Sequence, residues 1–495
     1  MFIPIVLDFE NNGLKFMLLK YLRFFDMCKQ NNWAIITHEE FDKYEMNFPN
    51  RNEYKETMMK QYGYSLYSQE ERKEVQQFFI KKEFYEKLFK KYGSELECAL
   101  QLLNNRDEEL EEIVEQFIQE LHNQGETIEG ILYFAACPLS IKEVAKKHNI
   151  PMVAYETGPI RSANYRCTTS YFCNNGLYDT NEIQSRFDNF KTQMPELPIF
   201  SREEILTMFL EQKNLGYVSM IDKTPKYEIG IAGGCALVVP YFAINKYMDH
   251  ELVDDILEIY HPKDILVRLH PGDMYKATYR LPKYDATSTP FPFLINSKRI
   301  AAVGSNLLFE AMLWKRVPCS LTKVMPASIL CNEDYVSVAE KEDVEEFVNF
   351  FIFGFLVPSE LAYDEEYLRW RNSKPSEKEI YMLHLKFYME KFGLTEEWLE
   401  KDSEIRLSLL RMYRNYTPFT EETFNSKLVI ASTVPATNQP TTVVKNEVKV
   451  VKDEELYKEY LATKEYLDNV LNSTSWKITA PLRKFIDKLK GKGKE

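Results

Sequence analysis

The stretch that most constrains this chain is residues 130–156, GILYFAACPLSIKEVAKKHNIPMVAYE. GILYFAAC is a continuous apolar run, as expected of a strand buried on both faces. PLSIKEVAKKHN opens a helix with a proline in its first turn, and IPMVAYE supplies the next strand. A strand, a crossover helix and a second strand build a parallel sheet covered on both sides. The same grammar recurs later. YEIGIAGGCALVVPYF is a strand or strand pair interrupted by glycines, and DDILEIYHPKDILVRLHP is a helix, a turn and the strand DILVRL, ending at His270-Pro271. RIAAVGSNLLFEAMLWKRVPCSL gives a strand over Arg299–Val303, a turn at Gly304-Ser305, a helix over Asn306–Trp314 and a strand around Pro318–Leu321. The fold class is therefore α/β, with two Rossmann-like domains and helical additions.

The remaining segments set the domain plan. A first strand is expected over Phe2–Phe9, and residues 10–128 carry mostly helical patterns. The clearest is RDEELEEIVEQFIQELHNQG, where Leu110, Ile113, Val114, Phe117, Ile118 and Leu121 recur at helical spacing and Gly125 stops the run. Residues 335–427 are helix-rich and crowded with aromatics. ASTVPATNQPTTVVKNE has no aromatic and reads as a linker, followed by the amphipathic KDEELYKEYLATKEYLDNVLNS and a basic tail. The expected division is an N-terminal Rossmann-like, acceptor-side domain over 1–215 and a nucleotide-sugar domain over 216–335. A helical region over 336–430 completes the fold, a linker runs over 431–452, and a C-terminal helical tail takes 453–495.

Composition removes several function classes. A net charge of −13 over 495 residues gives no basic footprint for nucleic acid. The eight cysteines form no CxxC pair, and several lie in apolar runs, which suits buried free thiols in a reducing compartment. Asp8 and Glu10 come too early for a signal peptide. The longest apolar run, FVNFFIFGFLVP, is about half of the roughly 20 residues that span a bilayer and reads as core. A cytoplasmic protein is expected.

Three groups of residues can carry chemistry. Ligands of open parallel sheets bind beyond the carboxyl ends of the strands. His270 in His270-Pro271-Gly272-Asp273 stands at such an end, where an imidazole can hydrogen-bond a phosphate oxygen. The plainer alternative is a histidine capping a turn. Gly304-Ser305-Asn306 opens a helix whose first turn offers unpaired N–H groups, and Glu310, about one turn on, can reach a sugar hydroxyl. The alternative is a capped core helix. Glu156 ends the strand IPMVAYE and opens ETGPIRSANYR, where it can act as a general base, with Arg161 and Arg166 as anion ligands. The alternative is a structural Glu156–Arg161 pair. The strands leading to His270 and Gly304 are expected to be neighbours aiming at one crevice.

In order, ETGPIRSANYRCTTSYF, VRLHPGD and VGSNLLFEAMLWKRVP resemble the motif set of bacterial capsule and lipopolysaccharide glycosyltransferases of the β-Kdo transferase group. The tail SxSWKITAPLR is similar to the ending of many multidomain polysaccharide glycosyltransferases. The resemblance covers roughly residues 130–320 and the tail. It implies a GT-B fold, two Rossmann-like domains facing a cleft, and a nucleotide-sugar donor, CMP-linked in that group. It further implies Glu156 as a catalytic carboxylate and His270 and Ser305 as nucleotide-phosphate ligands; together with the strand-end reading, the catalytic candidates are Glu156 and His270, and the nucleotide-sugar ligands Arg161, His270, Pro271, Gly304, Ser305, Asn306 and Glu310. No resident cofactor and no metal are implied, because no DxD-type pair stands at a strand end; Asp254-Asp255 lies within an apparent helix. The group also places an acidic cluster with a catalytic aspartate before the HP strand. The corresponding stretch here has no acid between Glu228 and Asp249, so the donor sugar does not carry over. Two alternatives follow: a non-catalytic scaffold in a polysaccharide assembly complex, and a sugar-nucleotide 2-epimerase. The expected partners are the donor, a glycan or lipid-linked acceptor and, through residues 453–495, an anionic membrane surface or a partner glycosyltransferase. That places the chain at the inner face of the cytoplasmic membrane.

Overall fold

The structure, a computed structural model, describes residues 1–7, 14–46, 67–174, 176, 180–234, 249–270, 283–395 and 430–431. Met1–Thr437 forms one compact unit, and Asn438–Glu495 lies outside the described residues. The linker and tail readings fall outside the described residues.

The first sheet is built from β1 (Phe2–Val6), β2 (Ile35–His38), β3 (Gln77–Ile80), β4 (Gly130–Phe134), β5 (Met152–Thr157), β6 (Thr169–Cys173) and β12 (Val357–Pro358), in the order β12-β6-β5-β4-β1-β2-β3. Strands β1 to β5 run parallel, whereas β6 and β12 are antiparallel to their neighbours. The β4–helix–β5 unit lies where the apolar runs place it, with its crossover helix over Leu139–Lys147. The helix Glu108–Asn123 covers this sheet by burying Leu110, Val114, Ile118 and Leu121. Its N-cap, Asp107, accepts from the Leu110 N–H.

Residues 10–128 are not as uniformly helical as their pattern suggests. They contain β2 and β3, IITH and QFFI, each four residues long. Strands this short carry little pattern of their own and take their state from pairing, β2 with β1 and β3 with β2.

The second sheet comprises β7 (Tyr227–Ala232), β8 (Ile265–Arg268), β9 (Tyr284–Asp285), β10 (Ser297–Ala301), β11 (Val317–Cys319) and β13 (Ile430–Ala431), in the order β11-β10-β7-β8-β9-β13. All but β13 run parallel. One expectation changes here: β8 and β10 are not neighbours, because β7 lies between them. The ends that carry His270 and Gly304 are therefore about 10 Å apart, two strand spacings, with the Gly233-Gly234 turn between them.

The two sheets share one hydrophobic core. Residues 347–356, the apolar run FVNFFIFGFL, are buried throughout and include a π-helical turn at Phe350–Phe355. Phe351 stacks on Phe309 of the second sheet's helix Leu307–Leu313 at 4.3 Å and meets Tyr171 of β6 edge-on at 6.1 Å. Burying each phenylalanine contributes roughly 1.5–3 kcal/mol, so this run is a principal tie between the sheets. Among the described residues, no helix is long and apolar enough to cross a membrane. The overall architecture is GT-B-like, two parallel-dominant α/β sheets with helical additions.

Candidate functional site

At the carboxyl end of β5, Tyr155 turns into the aromatic core while the next residue, Glu156, remains partly exposed. The Glu156 carboxylate accepts from the Thr157 N–H at 2.6 Å. Burial pushes its proton affinity up; the Lys20 ammonium, the Thr157 N–H and the Arg161 charge oppose that rise. Lys20 comes from the helix Leu14–Asn31 and is 7% exposed. Its Nζ donates to Thr157 Oγ1 at 2.9 Å and sits 4.1 Å from the centre of the Phe134 ring. Burial pulls its pKa down to about 8, against the attraction of Glu156.

Arg161 curls back on its own turn. Its Nε donates to Gly158 O at 2.8 Å and its Nη2 to Thr157 O at 3.4 Å, while its charge acts on both Glu156 and Glu310. Gly158 is required where it stands, because a Cβ there would lie 2.3 Å from Thr169 Oγ1. Arg166 faces elsewhere: it donates to the carbonyls of Met208 and Phe392 and stacks over the Phe392 ring.

The second sheet meets this edge through the helix Leu307–Leu313. Ser305 Oγ accepts from the Leu307 N–H at 3.3 Å, so the serine closes the helix start. Gly304 has open space around its Cα. Asn306 Oδ1 accepts from Tyr171 Oη at 2.7 Å, and its Nδ2 donates to Thr157 O at 3.4 Å. Glu310, 6% exposed, accepts from Tyr165 Oη at 2.7 Å. Burial lifts its carboxyl to about 7, against the Tyr165 bond and the charges of Arg161 and Arg268.

Along the same edge, Gly233 N donates to Arg268 O at 2.9 Å and Gly234 N to Asp249 Oδ2 at 2.8 Å. His270 stands two residues beyond β8, partly exposed. Pro271, Gly272 and Asp273 lie outside the described residues. Arg268 is anchored by Asp285 and by Thr287.

The structure thus brings Glu156 and Arg161 of the first sheet together with Asn306 and Glu310 of the second. Gly304, Ser305 and His270 take the adjoining strand ends. Sequence reasoning missed Lys20, Tyr165, Tyr171 and Arg268. Lys20 lies 137 residues from Thr157, and a lysine within KFMLLKYLRFF reads as one more helix cation. Its only signal is its place among mostly apolar neighbours.

Seven of the cysteines are buried free thiols, and Cys235 lies outside the described residues. Among the described residues, no group of three His, Cys, Asp or Glu side chains is placed to hold a metal ion.

No curated protein matches the chain. Solved structures similar to it include two from Thermosulfurimonas dismutans KpsC. The beta Kdo 2,7 transferase is 13% identical over 56% of this chain and 89% of that chain, with a TM-score of 0.32. The beta Kdo 2,4 transferase is 14% identical over 45% and 78%, with a TM-score of 0.29. The Methanocaldococcus jannaschii UDP-GlcNAc 2-epimerase, in complex with UDP-GlcNAc and UDP, is 13% identical over 72% and 100%, with a TM-score of 0.28. Over residues 4–182, which carry Lys20, Glu156 and Arg161, the chain is similar to the glycosyltransferase 99 family N-terminal domain, in line with the glycosyltransferase likeness of its motifs.

Proposed function

We propose that the chain is a glycosyltransferase that moves a sugar from a nucleotide-activated donor to a capsule or lipopolysaccharide acceptor. The observation that carries this reading is a shielded carboxylate, Glu156, placed with two cations at one strand end, opposite a helix start on a second parallel sheet. Glycosyl transfer needs an acceptor hydroxyl aligned and deprotonated, and a departing phosphate stabilised as its charge grows. Glu156 serves the first need as general base. His270, Ser305 and the helix-start N–H groups after Gly304 serve the second, with no metal or resident cofactor. The donor is CMP-linked by the motif likeness. The first sheet acts as the acceptor side and the second as the nucleotide side. Residues 453–495 hold the chain at the inner face of the membrane or on a partner enzyme.

The test uses the full chain with a panel of CMP- and UDP-sugars, read first by thermal shift and then by nucleotide release with and without glycan acceptor. A donor that raises the melting temperature and releases nucleotide on acceptor addition supports the reading. Nucleotide binding without turnover would favour a scaffold. Conversion of a UDP-sugar to its 2-epimer without acceptor would favour an epimerase. Either result would sink the transferase.

A further inference from the structure

Glu156 meets charge from several directions. Lys20 approaches from the helix Leu14–Asn31 and Arg161 from the loop after β5. The hydroxyls of Tyr171 on β6 and Tyr363 beyond β12 also lie within electrostatic reach. These groups are not equivalent. Arg161 directs its hydrogen bonds to the carbonyls of Thr157 and Gly158. Lys20 is more deeply placed and is held from two sides, by Thr157 Oγ1 at 2.9 Å and by the Phe134 ring at 4.1 Å. Thr157 is also the residue whose N–H binds the Glu156 carboxylate at 2.6 Å. Lys20, Thr157 and Glu156 therefore form a chain in which the ammonium and the carboxylate grip the same residue.

We propose that Lys20 is a positioning residue for Glu156: bonded to Thr157, whose N–H holds the Glu156 carboxylate, it fixes the end of β5 and so presents that carboxylate to an acceptor hydroxyl. This rests on the reading of Glu156 as general base. A buried carboxylate beside no cation takes up a proton and can no longer accept one from substrate. Lys20 counters that tendency without itself touching substrate. The proton moves from the acceptor oxygen to Glu156, the oxygen forms the bond to the anomeric carbon, and the electron pair leaves with the nucleotide phosphate. Lys20 gains and loses nothing.

The experiment is an infrared titration of the full chain, with the Glu156 carboxyl band identified as the one lost in Glu156→Gln. In Lys20→Met the Glu156 midpoint is expected to rise by about one pH unit, a tenfold gain in proton affinity typical of losing a nearby opposite charge. Lys20→Arg should keep it near the wild-type position. With an active donor, the acid limb of the pH profile of kcat/KM should move by the same amount in Lys20→Met. A folded Lys20→Met protein with an unmoved midpoint overturns the proposal. If Lys20→Met does not fold, Lys20→Gln decides, since it keeps a polar side chain beside Thr157 and removes the charge; an unmoved midpoint there overturns the proposal equally. The titration needs no turnover, so a chain with no transferase activity would fail the functional reading while the Lys20 effect is still measured.

Discussion

The carboxyl edges of the two sheets solve different problems with different material. The first is made of side chains: an ammonium, a guanidinium and a carboxylate packed around Thr157, with a proton affinity set by burial. The second is made largely of backbone: the Gly233-Gly234 turn, the open Gly304 and a serine-closed helix start, with His270 at the rim. Buried side-chain charges tune proton transfer. Glycines let an anion approach the backbone closely and do not titrate. The proposed function divides the labour along this contrast, with proton handling on one sheet and phosphate handling on the other.

The largest effect expected from that division falls on turnover. Glu156→Gln should lower transfer by about 10²-fold or more, the scale of losing a general base, and leave the donor's thermal shift intact. His270→Ala should also slow transfer, by about 10²-fold, but with a weaker nucleotide thermal shift. If both variants lose nucleotide binding alike, the two edges do not divide the work.

A smaller and sharper contrast compares two glycines, one on each edge. Gly158→Ala drives a methyl into Thr169 and should cost about 1–3 kcal/mol of stability, read as a lowered melting temperature. Gly304→Ala meets nothing within 4 Å and should melt like the wild type. Any loss in that variant should appear only in nucleotide affinity. A destabilised Gly304→Ala, or a neutral Gly158→Ala, would show that the edges are built more alike than described.

The smallest effect tests the bond that joins the edges. Glu310 is raised to about 7 in the folded chain, so the native state holds its proton more tightly than the unfolded chain does. That contribution to stability is full below the ordinary glutamate pKa and is lost as pH rises through about 7. Glu310→Gln keeps the shape without the ionisation. It should be about 1–2 kcal/mol more stable than wild type at pH 8, with the difference shrinking toward pH 5, as read by denaturant melts. An equal difference at both pH values would remove Glu310 from the titrating groups.

Much of this arrangement is legible in the sequence, for specific reasons. The unit from Gly130 to Thr157 is visible because strands buried on both faces must be continuously apolar and the intervening helix must not be. Glu156 stands out because a carboxylate ends such a run. Two other features depend on partners distant in sequence. β6 hides within a stretch that reads as a motif loop, since its antiparallel register on β5 follows from the turn around Arg161. The placement of β7 between β8 and β10 is a matter of sheet order, which local pattern does not encode. Lys20 belongs to the site only because folding brings a distant helix to Thr157, and Tyr165 and Tyr171, although within the first motif, take their places through Glu310 and Asn306, 145 and 135 residues away.

The placement of β12 also governs how the chain is made. The first sheet is completed by Val357–Pro358, beside β6, after the chain has passed through most of the second sheet. On a ribosome adding about 5–20 residues each second, β6 waits roughly 10–40 s for its neighbour, its backbone groups unpaired on that side. A nascent chain cut short before residue 357 would carry a raw sheet edge through that interval, a template for another unfinished copy.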